Sequence, residues 1–333
     1  MKSLYYFFVL IFFFSCRQAE NNQIDQYKMT SLGAKFKNEY LGIINTYREQ
    51  LTENPDDKKA KIGLVETNIM LYIFGLEDRD KTMGEAEPVF YQLWELDSTD
   101  GDVQRLSGIV RFLNWEWEEA GKSFVKAIQT DPNNPSTRHW YSLYLAAMGD
   151  MEKALMHSDT IMSLDMSGDY QIGRGSLYYF SRQNSKLKDL MIEEIERDPN
   201  TPWAYDWLGM AYCELEDFES SINTYFKAFE LSDGLAEVGA GLGHALGLGG
   251  KTEMAKQLAS YYAKISPTRY VPPVQRAFIH IGLGEYAEAI ALLNQAYLDK
   301  SWFIIFIQIE PWYDPIRDDV RFQEIIEKMR FPK

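Results

Sequence analysis

Residues 201–233 read TPWAYDWLGMAYCELEDFESSINTYFKAFELSD. Two apolar helical runs, Trp203 to Leu215 and Phe218 to Leu231, follow one another, and the stretch closes on Ser232–Asp233. The same kind of ending recurs at Asp97, Asp131–Pro132, Asp165, Asp198–Pro199, Ser232–Asp233 and Ser266–Pro267, in steps of 34, 34, 33, 34 and 34 residues. A period near 34 with two helical patterns per unit describes helix pairs that bury their apolar faces only by stacking on neighbours. Stacking accounts for most of the hydrophobic residues before any catalytic role is needed.

Working outward toward the C-terminus, Leu235 to Leu248 pairs with Met254 to Ile265, and Val274 to Leu283 with Tyr286 to Leu298. Toward the N-terminus the pairs are Ile172 to Phe180 with Leu187 to Ile195, Trp140 to Met148 with Ala154 to Leu164, and Val103 to Leu113 with Trp117 to Ile128. Ala60 to Phe74 and Ala86 to Leu96 form the next pair, joined by a longer connection, Gly75 to Gly84; Phe36 to Leu51 forms one leading amphipathic helix. Gly149, Gly250 and Gly284 fall at the turn inside a pair. Gly108, Gly175, Gly209 and Gly243, and Ala120, Ala154, Ala255 and Ala289, are the small residues that let paired helices approach closely.

Tyr205, Leu208, Gly209, Tyr212, Tyr225 and Ala228 sit where the tetratricopeptide repeat (TPR) family places its signature. The chain resembles that family from about residue 36 to 333. Asn114–Trp115–Glu116–Trp117, His139 to Leu145 and Ile309 to Phe322 resemble one branch in particular. That branch is the repeat region at the C-terminal end of bacterial winged-helix regulators, adenylate cyclases and serine/threonine kinases. The resemblance implies an all-α fold: a right-handed superhelical TPR solenoid of antiparallel helix pairs, about eight repeats over 36–333, with a C-terminal cap over 301–333. Trp302 to Ile309 is too apolar for solvent, and Pro311 and Pro315 force a turn. Asp318 or Asp319 then caps a last helix whose Phe322, Ile325, Ile326 and Met329 seal the final repeat.

The first residues read as an address. Lys2 precedes an 11-residue apolar run, Leu4 to Phe14, too short for the roughly 20 residues of a membrane-spanning helix. Phe13–Phe14–Ser15–Cys16 resembles a bacterial lipobox, which implies a signal peptide over 1–15, lipidation of Cys16 and a polar tether over 16–35. Several acyl chains at about 0.8 kcal/mol per buried CH₂ hold a protein to a membrane firmly. The expected location is a periplasm-facing lipoprotein, on the outer rather than the inner membrane, with the repeat region used by itself behind its leader.

A formal net charge of −15 disfavours nucleic acid as a partner. Two cysteines, Cys16 and Cys213, support neither a disulfide framework nor a metal site, and Cys213 reads as a packed hydrophobe. Ala245 to Thr252 imitates a phosphate-binding loop, but such a loop works between a strand and a helix, and here the period demands helix before Gly250. Thr252 reads as the N-cap of the following helix, and Ile304 to Ile309 as cap rather than strand. His139, His157, His244 and His280 show no ligand spacing, and Glu118–Glu119 and Glu193–Glu194 read as solvated helix faces. The sequence supports no catalytic residue, metal or cofactor.

The family resemblance places the first helix of each pair on a concave wall. There it puts Asp102, Arg105, Ile109, Phe112, His139, Leu143, Trp203, Asp206, Met210, Glu237, His244, Val271, Val274 and Phe278. Aromatic anchors mixed with carboxylates suit a protein or peptide segment of basic character. The expected function is a non-enzymatic, membrane-tethered binding scaffold. A small-ligand or signal sensor and an outer-membrane assembly factor are the alternatives.

Overall fold

A computed structural model describes residues 33–164 and 170–332. The described residues are all helix and connection, without a strand. A leading helix, α1 (Ala34–Glu53), precedes seven antiparallel pairs. The pairs are α2 (Lys58–Ile73) with α3 (Arg79–Leu96), α4 (Gly101–Leu113) with α5 (Trp117–Thr130), and α6 (Pro135–Ala147) with α7 (Met151–Leu164). They continue with α8 (Gln171–Phe180) and α9 (Asn184–Arg197), α10 (Pro202–Glu214) and α11 (Phe218–Leu231), α12 (Ala236–Leu248) and α13 (Thr252–Ile265), and α14 (Pro273–Gly282) and α15 (Tyr286–Leu298). Two 3₁₀ turns, Trp302–Phe306 and Pro311–Ile316, lead into the last helix, α16 (Val320–Met329).

The periodic acidic ending has a local cause. Asp97, Asp131 and Asp198 each end a second helix, and each side chain accepts the backbone N–H two residues on, from Thr99, Asn133 and Asn200. An Asx turn of this kind competes with the helix and terminates it. Asn54 does the same for Asp56 at the end of α1. The next helix then starts on a capping side chain, as Asp100 accepts from Val103 at 3.2 Å and Asn134 from Thr137 at 3.0 Å. Asp165 lies outside the described residues.

Inside each pair a single left-handed residue reverses the chain. Gly149, Gly250 and Gly284 have φ of 84°, 76° and 72°, and Trp115, Arg182 and Glu216 occupy the equivalent place at 66°, 57° and 60°. The residue after each returns its N–H to the carbonyl five positions back, as Lys251 does to Leu246 at 2.8 Å. Gly250 is therefore a turn residue between two helices, as the period required. Thr252 is already helical, and the cap position belongs to Lys251, which makes no side-chain cap bond.

Two further expectations are corrected. The long connection after α2 is short: Asp78 caps α3 at once by accepting from Lys81, so the extra residues extend the helix across Gly84 and Pro88. Glu194 is not a solvated face residue but is buried and ion-paired with Arg197.

The small residues do what close approach asks of them. The Tyr225 ring lies over Gly209, and that of Phe124 over Gly108. At the crossing of α12 and α14 the contact is backbone to backbone. A Cβ on Gly247 would collide with the Gly282 carbonyl, and one on Gly282 with the backbone of His244.

The solenoid comes back on itself. Gly33 donates its N–H to Asp233 O at 2.9 Å, and Phe74 of α2 stacks on Trp203 of α10 at 4.8 Å between centroids. The C-terminal segment runs across the inner wall. Tyr72 of α2 bonds Lys300 O; Trp302 meets Phe112 of α4 and Trp140 of α6 edge-on at 6.0 Å; Phe306 stacks on Phe180 of α8 at 4.7 Å. Trp312 stacks on His244 of α12 at 4.0 Å, and Tyr313 on Phe278 of α14 at 5.5 Å. Ile304, Ile305, Phe306, Ile307, Trp312, Tyr313 and Ile316 are all buried.

Beyond this segment, Asp319 caps α16 by accepting from Arg321, and Phe322, Ile325 and Met329 are buried as expected, with Ile326 at the edge. The helix also reaches α5, where Trp117 Nε1 donates to Met329 O at 3.0 Å and the Trp117 ring stacks on Phe331. The cap thus seals the last pair and fills much of the hollow.

Candidate functional site

The inner wall is built by the first helix of each pair, and the C-terminal segment decides which part stays open. What remains is a cavity of about 440 Å³. Phe74, His139, Trp140, Leu143, Tyr170, Ile172, Trp203, Asp206, Trp207 and Glu237 line it, with Trp302, Phe303 and Phe306 as its floor. The wall is held by ring-on-ring contact: Trp203 between Phe36 and Phe74, Trp302 against Trp140 and Phe306, and His139 against Tyr170 at 5.6 Å. Such pairs add about 0.5–1.5 kcal/mol each beyond their buried area, so this wall is preorganised.

Burial shifts His139, Asp206 and Glu237 toward their neutral forms. His139 lies against the backbone of Gly173, and burial pulls its imidazole down to about 4. Burial pushes the Asp206 carboxyl up to about 7, and burial together with the Asp206 charge pushes Glu237 up to about 8. Asp206 Oδ1 and Glu237 Oε2 have no hydrogen-bond partner. No lysine or arginine lines the cavity.

The residues expected on the concave wall divide into four sets. His139, Leu143, Trp203, Asp206 and Glu237 come together at the cavity. Phe112, His244 and Phe278 do face inward, but the chain's own Trp302, Phe303, Trp312 and Tyr313 cover them. Ile109, Met210, Val271 and Val274 are core. Arg105 is buried in an ion pair with Glu66 and with Asp102 at 3.2 Å, an internally paired cluster on the α2–α4 wall. Cys16 lies outside the described residues.

Sequence reasoning missed the floor and half of the aromatic wall. Trp207 read only as part of an apolar helix. Trp302 and Phe306 read as a lid on the last pair, because helical periodicity says nothing about a segment packing across six other helices. The one available signal was the density of large apolar residues in Trp302 to Ile309, more than a single exposed helix face needs.

The remaining histidines are accounted for locally. His244 Nδ1–H donates to Phe278 O at 2.9 Å, His157 meets Arg138, and His280 meets Glu285 at 2.8 Å. Among the described residues no group of three His, Cys, Asp or Glu could hold a metal ion, and no helix is long and apolar enough to cross a membrane.

No family model matches the chain. Among solved structures it is similar to a chain of the APC/C hetero-tetramer Cut9-Hcn1, at 13% identity and a TM-score of 0.59 over 95% of this chain. It spans 59% of that structure's own length. It is also similar to the human IFIT1 dimer with m7Gppp-AAAA, at 12% identity and a TM-score of 0.58, covering 94% of this chain and 74% of that one. At these identities the likeness speaks to the fold: stacked antiparallel helix pairs that curve around a hollow.

Proposed function

With the chain established as a tetratricopeptide-repeat solenoid in fold, we propose that it is a non-enzymatic binding scaffold. It holds a protein or peptide segment of basic character in the cavity between α6, α8, α10 and α12. The single observation that carries this reading is that the open part of the inner wall combines a fixed aromatic lining with two carboxyls, each with a buried and unpartnered oxygen, and no lysine or arginine. An anionic ligand such as the capped RNA of the IFIT1 complex would meet both carboxyls and a chain of net charge −15.

The binding surface is a cleft rather than a full-length groove, for energetic reasons. Seven side chains of the C-terminal segment are fully buried, and at about 1.5–3 kcal/mol each they contribute on the order of 10–20 kcal/mol gross. Few partners bind tightly enough to displace that. The segment therefore belongs to the fold, and recognition takes place beside it.

We further propose that Cys16 carries lipid and tethers the scaffold on the periplasmic side of a membrane, the outer one in preference. The support is the apolar Leu4 to Phe14 run and the Ser15–Cys16 junction. Cys16→Ser is expected to move the protein from the membrane fraction to the soluble one; retention in the membrane would refute the anchor. Crosslinking in intact cells followed by mass spectrometry tests the scaffold. The expected crosslinks join residues that line the cleft, such as Ser136, to a lysine-bearing segment of another protein. Crosslinks confined to the convex face would refute it.

A further inference from the structure

Asp206 and Glu237 are the two acids of the inner wall that the fold itself does not use. Asp206, on α10, is 2% exposed, and its Oδ1 is buried without a partner. Glu237, in the first turn of α12, lines the same cavity, and its Oε2 is buried and unpartnered too. Other buried acids are tied into the fold: Glu310 accepts through Oε1 from Tyr179 and from Trp312 N–H at 3.0 Å, although its Oε2 is also unpartnered, and Glu194 pairs with Arg197. A buried acceptor left unmade is costly, and two in one cavity more so. A cation between them would satisfy both.

The surroundings say which cation. Trp203, Trp207, Trp140, Trp302 and Phe74 supply ring faces, whose quadrupoles attract positive charge and whose area suits methylenes. A divalent metal ion asks for more oxygen ligands than two carboxyls provide, and it gains nothing from indole walls. The cavity of about 440 Å³ exceeds a butylammonium group, leaving room for main chain on either side.

We infer that the cavity binds a protonated alkylamine, its ammonium set between Asp206 and Glu237 and its methylenes laid along the tryptophan rings. Resting on the scaffold reading, the amine is the side chain of a lysine in the partner segment. Asp206 and Glu237 are then the specificity-determining pair, rejecting acidic and neutral side chains by leaving two acceptors unpaired.

The test uses the full chain at pH 7.5 and the fluorescence of the cavity tryptophans. Four probes are titrated: n-hexylamine, 1-hexanol, a pentapeptide of one lysine among four glycines, and its norleucine counterpart. Hexylamine is expected to give a saturable change, at least tenfold tighter than hexanol, and the lysine peptide to bind where the norleucine peptide does not. The double variant Asp206→Asn, Glu237→Gln, folded by circular dichroism, is expected to lose at least tenfold in hexylamine affinity and to keep its weak affinity for hexanol. Equal binding of amine and alcohol to the unaltered protein would overturn the inference without recourse to any variant. So would an unchanged hexylamine affinity in the double variant. If hexylamine binds and the lysine peptide does not, the amine site stands and the peptide-scaffold reading falls.

Discussion

Replacing Asp206 by asparagine should flatten the pH dependence of stability. Burial raises this carboxyl from its ordinary 3.8 to about 7. Between those values the folded chain holds a proton that the unfolded chain has released. The associated stability is therefore fully present below about pH 4, falls as pH climbs through 7, and has no more to lose above. A rise of about three pH units at about 1.4 kcal/mol each sets a ceiling near 4 kcal/mol. Only about two of those units, at most about 3 kcal/mol, are lost above pH 5, and relaxation of a real interior leaves about 1–3 kcal/mol, or roughly 2–5 °C in Tm for a chain of this size.

Asparagine does not titrate, so the variant should lack this loss. Its absence also relieves Glu237, whose carboxyl is pushed up partly by the Asp206 charge. The assay is thermal unfolding by circular dichroism at pH 5 and pH 8.5 for both proteins. The difference of differences cancels whatever asparagine costs in packing. A Tm drop between the two pH values that is as large in the variant as in the unaltered protein would refute the buried, uncompensated carboxyl. Saturating hexylamine should have a related effect on the unaltered protein, raising its Tm more at pH 8.5 than at pH 5.

Gly247→Ala and Gly282→Ala should each destabilise by about 1–3 kcal/mol or more, since a methyl there meets backbone. Gly42→Ala, on an open helix surface, should gain about 0.5–1 kcal/mol in the same denaturant titration. Glu216→Gly should stabilise by about 1 kcal/mol, because φ of 60° at an exposed glutamate costs what glycine does not. Cys213 is buried and its thiol pushed up to about 12, so peptide mapping after iodoacetamide at pH 8 should find it unmodified until denaturant is added.

The helices were legible in the sequence because their boundaries are written locally. Asp97, Asp131 and Asp198 end a helix through their own Asx bonds, and Asp57, Asp100 and Asn134 begin one, so a 34-residue period could be read from single residues. Where the signal was ambiguous, at Gly84 and Pro88, α3 was read too short, because a proline and a glycine in sequence look like a break. The cleft was half legible. His139, Leu143, Trp203, Asp206 and Glu237 followed from family geometry. The covering of Phe112, His244 and Phe278 did not, because it depends on contacts across 35 to 190 residues that leave no periodic trace.

The chain's own C-terminal segment is built into the inner wall and leaves open an aromatic, acid-lined cleft. Amide hydrogen exchange across residues 302–316 measures this directly. Ile307, Ile309 and Trp312, whose N–H groups are bonded within the hollow, should exchange as slowly as the amides of α12. Exchange of this segment at the rate of an exposed tail, while α12 stays protected, would contradict it.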